Sequence, residues 1–400
     1  MKHYDVTIIG AGLAGLFLSK TLCDNDVRVL LVDRKQDLSK SIHTTGIFVR
    51  KTFEDFQFPA GTLGPPISHI SLYSPALRKI ELESSFEEFR VGRMGALYNS
   101  FLQDCLEGGV DFRCATAYRG AAEYKNQGRG SIVTLERNGV KETVETSVLV
   151  GADGACSNVA KDLGLDQNRH WIVGYEEVAT GVPATGSPEI HCFLNNRLAP
   201  GYLAWISSDG EETHIGVGGY PSRFDPRSAL KVFKQEIVPQ IIETGKLKIV
   251  EKRGGKIPVG GVLKRIGNRR GLLVGDAAGA VSPLTAGGLD PCLRLSKFAA
   301  EIITRRICED DPDRLLDFSG SMFRKKFATR LMMRLALNTA RGQVALEAGC
   351  ALLGTVPGLR LAKKIFFERA SFPDIDLIGD FSQKVVSKNI GDSSPLMENR

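Results

Sequence analysis

No Cys-x-x-Cys pair occurs in this 400-residue chain; its eight cysteines stand isolated at positions 23, 105, 114, 156, 192, 292, 308 and 350. That spacing excludes a zinc ribbon or a cysteine-ligated cluster and leaves no metal-ligand set to name. Reduced, mostly buried thiols in a cytoplasmic protein are the expectation. No uninterrupted apolar stretch reaches the roughly 18 residues of a spanning helix. The first strand is expected to begin by Asp5, so no secretory signal is expected. A polybasic block is also lacking: the net charge is only +6, and Arg324-Lys325-Lys326 reads as a solvated helix face. Nucleic acid is therefore not expected as a partner, while contact with a membrane surface stays open. Repeats and low-complexity segments are absent too, although residues 387–400 are polar enough for a loose tail. None of this sets the oligomeric state.

What the chain has is a strand, a glycine turn and a helix at its start. The apolar Val6-Thr7-Ile8-Ile9 runs into Gly10-Ala11-Gly12-Leu13-Ala14-Gly15 and then Leu16-Phe17-Leu18. Gly10 permits a tight turn, Gly12 lets the backbone approach a pyrophosphate, and Gly15 lets helix pack on strand; the helix N-terminus supplies amide donors. A second strand through Val32 leads directly into Asp33, at the distance where a carboxylate meets ribose hydroxyls. No second Gly-x-Gly-x-x-Gly follows, so one dinucleotide is held and any other visits.

Beyond a breaker cluster at residues 61–66, alternation through residues 67–73 and 79–83 around Ser74-Pro75 predicts a hairpin, and Leu97, Phe101, Leu102 and Leu106 have helical spacing. Arg137-Asn138-Gly139 joins two further strands, residues 131–135 and 143–146, with a separate strand at 147–150. Residues 171–219 are strand-rich and predict a second, antiparallel sheet containing strands 189–193, 202–206 and 213–217. A helix is expected near 229–243 and a buried strand at 271–274; beyond about Pro312 the pattern is helical to Arg369.

Three loops that follow buried strands share glycines and an acid: the first turn with Asp33, Gly151-Ala152-Asp153-Gly154, and Gly275-Asp276-Ala277-Ala278-Gly279 with Pro283 and Gly287-Gly288 beyond it. Together they resemble the fingerprints of FAD-dependent oxidoreductases of the para-hydroxybenzoate hydroxylase-like superfamily. The resemblance implies an α/β fold: a Rossmann-like FAD-binding domain (residues 1–66, 91–168 and 265–312), an inserted mainly antiparallel β-sheet substrate domain (67–90 and 169–264), and C-terminal helices with a polar tail (313–400). It implies FAD contacts at Gly10, Gly12, Ala14, Gly15, Asp33, Arg34, Thr45, Asp153, Gly154, Gly275, Pro283, Gly287 and Gly288, with Asp276 on a ribityl hydroxyl and Arg93 beside the flavin phosphates or ribityl chain. A helix opening at Gly287-Gly288 would aim its N-terminus at the reduced ring and favour an anion there. Where the superfamily continues the Asp-Gly loop with serine and then arginine, this chain keeps Ser157 but carries Val159-Ala160.

Within the superfamily the chain resembles the geranylgeranyl reductase-like branch, through Tyr73-Ser74-Pro75, the run from Ala199 to Ile206 followed by Gly216-Val217-Gly218, and the third loop through Pro283-Leu284-Thr285. Two departures stand out. Ile206-Ser207 replaces the branch's Phe-Pro, and Ser41-Ile42-His43-Thr44-Thr45-Gly46 holds no cysteine beside the flavin. His43 is read as a proton donor, or as a histidine packing the loop or bonding the cofactor. Tyr202 and Trp205 are candidate substrate contacts, on opposite faces of one strand if both lie in it. The resemblance implies hydride transfer from reduced FAD to a double bond of a small hydrophobic, isoprenoid-like substrate, with NAD(P)H or another external reductant as donor. The alternatives are a group A flavin monooxygenase and an electron-transfer flavoprotein; the scattered cysteines lack the cluster that the latter's relatives add.

Overall fold

The computed structural model describes residues 1–25, 27–124, 130–182, 188–339 and 342–367. The expected tail at 387–400 and the helix end at Arg369 lie outside the described residues. The first layer is a sheet of β1 (Lys2–Ile9), β2 (Val29–Val32), β7 (Asp111–Arg113), β8 (Ala117–Glu123), β9 (Ser131–Arg137), β10 (Val140–Gly151), β16 (Gly267–Asn268) and β17 (Gly271–Leu273). Its spine runs β16-β17-β10-β1-β2-β7, with β8 and β9 attached beside β10. The strands β17, β10, β1, β2 and β7 pair in parallel. Being covered on both faces, β1 and β2 carry near-continuous apolar runs. Helices α1 (Leu13–Cys23), α3 (Met94–Glu107) and α6 (Leu289–Cys308) bury Leu16, Leu97 and Leu293 in the core of this layer.

The turn at Asn138 and Gly139 takes φ of 51° and 80°, both positive as a two-residue primed hairpin requires. The strands expected at 143–146 and 147–150 are one element: β10 runs unbroken to Gly151, antiparallel to β9 on one edge and parallel to β1 on the other. The polar run Glu145-Thr146-Ser147 in its middle is why hydropathy alone broke it in two.

The second layer is a seven-stranded sheet in the order β15 (Lys248–Pro258), β11 (Trp171–Thr180), β14 (Thr213–Gly219), β13 (Ala204–Ser208), β12 (Glu189–Phe193), β4 (His69–Tyr73), β5 (Lys79–Glu83). Every pair is antiparallel except β12 with β4, where the segments before and after the first-layer strands β7 to β10 join. The strand β15 was not anticipated, because Glu251 and Arg253 on its inward face, Val250 on its exposed face and the Gly254-Gly255 pair break its hydropathy alternation. A two-stranded ribbon of β3 (Ile47–Val49) and β6 (Phe89–Val91), with the short helix α2 (Arg50–Asp55), sits between the sheets' connections.

The short α4 (Asn158–Asp162) follows the second glycine loop, and α5 (Pro226–Glu236) is capped by the Asp225 carboxylate and buries Leu230 and Phe233 on the second sheet. The latter ends before the expected residue 243: Pro239 has no amide hydrogen to continue the α-helical ladder, and the chain tightens into a 3-10 turn at Val238–Gln240. After α6 come α7 (Ser321–Thr339), α8 (Gln343–Leu353) and α9 (Val356–Phe367). Leu315, Phe318, Phe323 and Phe327 belong to the first core, so its packing continues past residue 312. Arg324 is not a solvated cation, since its Nη1 donates to the Val262 carbonyl at 2.7 Å. Four of the eight thiols are buried (Cys105, Cys192, Cys292, Cys350), while Cys156 and Cys308 are exposed.

Candidate active site

The three glycine loops leave the carboxyl ends of the adjacent parallel strands β1, β10 and β17, the place where open α/β sheets hold ligands. They border a cavity of about 1070 Å³ that extends to the second sheet and to the C-terminal helices. The first turn separates its glycines by task. Gly10 has φ of +105°, and a Cβ there would meet the Ala152 carbonyl at 2.3 Å. At Gly15 a Cβ would stand 1.9 Å from the Gly10 oxygen, whereas at Gly12 it would meet nothing within 4 Å and would enter the cavity. The backbone is thus bare where a pyrophosphate would approach. Asp33 holds the turn from below: Oδ2 accepts from the Ala11 amide at 2.7 Å and Oδ1 from the Lys35 amide at 2.8 Å.

In the second loop, Asp153 Oδ2 accepts from the Asn158 and Val159 amides and so starts α4, with Ser157 Oγ accepting from the Ala160 amide. Burial pushes the Asp153 carboxyl up, partly offset by these bonds, and Oδ1 is buried without a hydrogen-bond partner. Asp276 in the third loop faces the cavity, and no donor reaches its carboxylate among the described residues. Burial alone pushes it up to about 6. Beyond it Gly288 opens α6 without a side-chain cap, and Gly287, Gly288 and Leu289 line the same cavity.

Most of the anticipated residues line the cavity, including Ala14, Arg34, Thr45, Gly154 and Gly275. Three do not. Gly15 serves packing only. Arg93 points away: Nη1 donates to the Gly61 carbonyl, Nη2 to the Asp209 carbonyl, and it pairs with Glu211 at 3.0 Å. Its cation joins α3 to the turn after β13, with Nε buried and without a hydrogen-bond partner. Pro283 lies behind the wall, its carbonyl accepting from Arg334 Nη1 at 2.7 Å.

Tyr202 and Trp205 both line the cavity, their rings 6.4 Å apart and edge to face. The opposite-face expectation fails because β13 begins only at Ala204, leaving Tyr202 in the preceding turn. The Tyr202 hydroxyl donates to the Thr285 carbonyl at 2.8 Å, and burial raises its pKa; this phenol ties the second sheet to the third glycine loop. His43 is held by more than packing: its Nδ1 donates to the Gly254 carbonyl at 2.9 Å, a tautomer set by that partner, and the ring borders the cavity.

A buried charged network sits beside these groups and was not anticipated. Glu176, 3% exposed, accepts from Thr45 Oγ1 at 2.6 Å and from Trp205 Nε1 at 3.2 Å, with His214 Nδ1 at 3.4 Å and Arg253 Nη1 at 3.7 Å. Burial raises the Glu176 carboxyl, but His214, Thr45 and Arg253 outweigh it and hold the pKa below the ordinary value. One signal was legible: alternation in β11 puts Glu176 on the same face as Ile172, Gly174 and Val178, a lone acid on an apolar face. Arg253 had no such signature. His214 also lies with Asp209 and Glu212, their ligand atoms all within 4.8 Å of one another.

The cavity's far end is apolar. Ile70, Leu72, Ile190 and Cys192 face it from the second sheet, and Met333, Leu353, Ile365 and Phe366 from α7, α8 and α9. A glycine-lined trough with unpaired carboxylate oxygens, continued by an apolar chamber, defines a flavoprotein oxidoreductase fold with separate cofactor and substrate layers. The residues fit FAD: bare backbone at Gly12, an unpartnered acceptor at Asp276, and an uncapped helix end at Gly288.

The chain belongs to the FAD binding domain family, whose model matches residues 3–59 and 76–334. It is 28% identical over 325 residues to the digeranylgeranylglycerophospholipid reductase of Methanosarcina acetivorans, covering 77% of each chain. Among solved structures it is similar to a geranylgeranyl bacteriochlorophyll reductase-like protein of Thermoplasma acidophilum, with a TM-score of 0.79 and 17% identity over 92% of this chain and 98% of that one. The p-nitrophenol 4-monooxygenase of Pseudomonas putida shares the fold with a TM-score of 0.66 and 14% identity, covering 97% and 99%.

Proposed function

We propose that this protein is an FAD-dependent reductase that saturates double bonds in the isoprenoid chains of a lipid-like substrate. The observation that carries this function is the continuity of the cavity, from the glycine loops to an apolar chamber walled by a sheet and three helices. Similarity to digeranylgeranylglycerophospholipid reductases supports the same substrate class. When bound, FAD supplies hydride transfer. The chain's own residues do the rest. The α1 N-terminus and Gly12 seat the pyrophosphate, Asp276 accepts a hydroxyl proton donor, and the open end of α6 favours negative charge. The apolar wall excludes water from the reacting carbon. His43, its Nδ1 fixed on Gly254, holds or gives a proton at Nε2. An external reductant, NAD(P)H by resemblance, recharges the flavin.

The test is anaerobic incubation of the flavin-loaded protein with dithionite and a digeranylgeranyl phospholipid, followed by mass spectrometry. Gain of two hydrogens per double bond is expected. An unchanged lipid under these conditions, with an oxygen atom added when air and NADPH are supplied, would replace the reductase by the monooxygenase.

A further inference from the structure

The outward face of the C-terminal helices has the wrong polarity for a surface in water. Six of the twelve large apolar side chains exposed among the described residues fall between positions 332 and 361. On α8 the exposed positions recur at helical spacing, Val344, Ala345, Ala348, Ala351 and Leu352, and none is polar. Val344 is 84% exposed, Leu352 69%, and Val356 at the start of α9 65%. Contiguous exposed apolar faces of this kind mark interaction sites.

The flanking charge has one sign. Arg360 and Lys363 are exposed on α9, while the only acid from 342 to 367, Glu347, is turned inward and held by Arg78, Ser74 and the Ala76 amide. An apolar stripe bordered by cations is the pattern of a helix lying in the headgroup region of an anionic bilayer. Neither helix is long enough to span alone. The two helices have 11 and 12 residues and are bent by 97°, so each reaches only about 17 Å of a ~30 Å hydrocarbon core. Their inner faces are committed to the protein, with Cys350 and Ala362 buried against the second sheet. Leu353 and Ile365 from these same helices line the cavity.

We propose that the α8–α9 face docks on an anionic lipid bilayer, lying flat, and sets the apolar end of the cavity against the membrane. A long-chain lipid then passes from bilayer to cavity without crossing water. Docking goes beyond the reductase function and its test reads binding, not turnover, so either can fail alone.

The full chain, loaded with FAD, is sedimented with phosphatidylcholine vesicles with and without phosphatidylglycerol. Binding is expected to the anionic vesicles and to be about ten-fold weaker without the anionic lipid. V344D/L352D should reduce binding by about ten-fold or more, and R360E/K363E should remove the preference for anionic lipid. Retained flavin absorbance and an unchanged melting temperature show that each variant is folded. No sedimentation of the parent chain, or sedimentation that folded V344D/L352D leaves undiminished, overturns the proposal. So does a dimer, seen by analytical ultracentrifugation, that V344D/L352D dissolves, since the face then belongs to a second copy.

Discussion

Asp276 is an acceptor without a donor, and that has a sign that can be measured. Its pKa, pushed up to about 6, lies above the 3.8 of an unstrained aspartate, so the folded apoprotein binds a proton more readily than the unfolded chain. Stability from this group is present below pH 3.8 and is lost as pH rises through 6, at a cost of about 3 kcal/mol in the ionised form. The difference in melting temperature between the apoprotein and Asp276→Asn should therefore widen from pH 4.5 to 7 in favour of the variant. A hydroxyl from FAD relieves the same penalty, so Asp276→Asn should retain flavin less well on gel filtration. Glu176 has the opposite character. Its carboxylate is held charged by His214, Thr45 and Arg253, so Glu176→Leu leaves the Trp205 Nε1 and Thr45 Oγ1 donors without their acceptor and Arg253 with Glu251 as its remaining carboxylate, and should cost about 3 kcal/mol in chemical denaturation.

Within an element, the first glycine turn allows a clean separation of folding from binding. Gly15→Ala places a Cβ 1.9 Å from a backbone oxygen and should fail to give soluble, cooperatively melting protein. Gly12→Ala meets open space at φ of −79°, so the apoprotein should melt within a few degrees of the parent while FAD uptake, followed by flavin fluorescence quenching, is lost. Loops of this kind were legible because each task selects a residue type: glycine for the turn, an acid after the strand. The partners of Arg93 were not legible, since a cation before a helix satisfies a phosphate or three protein oxygens equally well, and only the position of the β13–β14 turn decides. The same holds for Tyr202, whose side depends on where β13 starts. The strand β15 was hidden because its ladder is with β11, far away in sequence, and its own alternation is weak.

For the whole molecule, one joint between layers and C-terminal helices is a buried cation. Arg334 of α7 donates to the Pro283 carbonyl at 2.7 Å, the Gly201 carbonyl at 3.2 Å and the Tyr220 hydroxyl at 3.0 Å, so one side chain binds the third glycine loop, the turn before β13 and the end of β14 to the C-terminal helices. Arg334→Ala takes the donor from the Pro283 and Gly201 carbonyls, while the Tyr220 hydroxyl keeps Asn338 Nδ2 at 2.9 Å, and should cost about 3 kcal/mol, with limited proteolysis appearing first around α7. The two-layer architecture was readable from the alternation of buried parallel runs with half-buried strands. The joint was not, because its acceptors are main-chain oxygens and carry no sequence signature.

The pairing of β1 with β10 aligns Lys2 with Val144 and Ile9 with Gly151, so the wall of the cofactor trough is closed by a contact between residues more than a hundred positions apart. Gly275 and Gly288 complete it from later still. A chain emerging from the ribosome therefore has no flavin site until residues beyond 288 are free to fold, and pairing over such distances is slow. Flavin capture therefore waits on the pairing of β1 with β10 and on the start of α6, and belongs to a late stage of maturation.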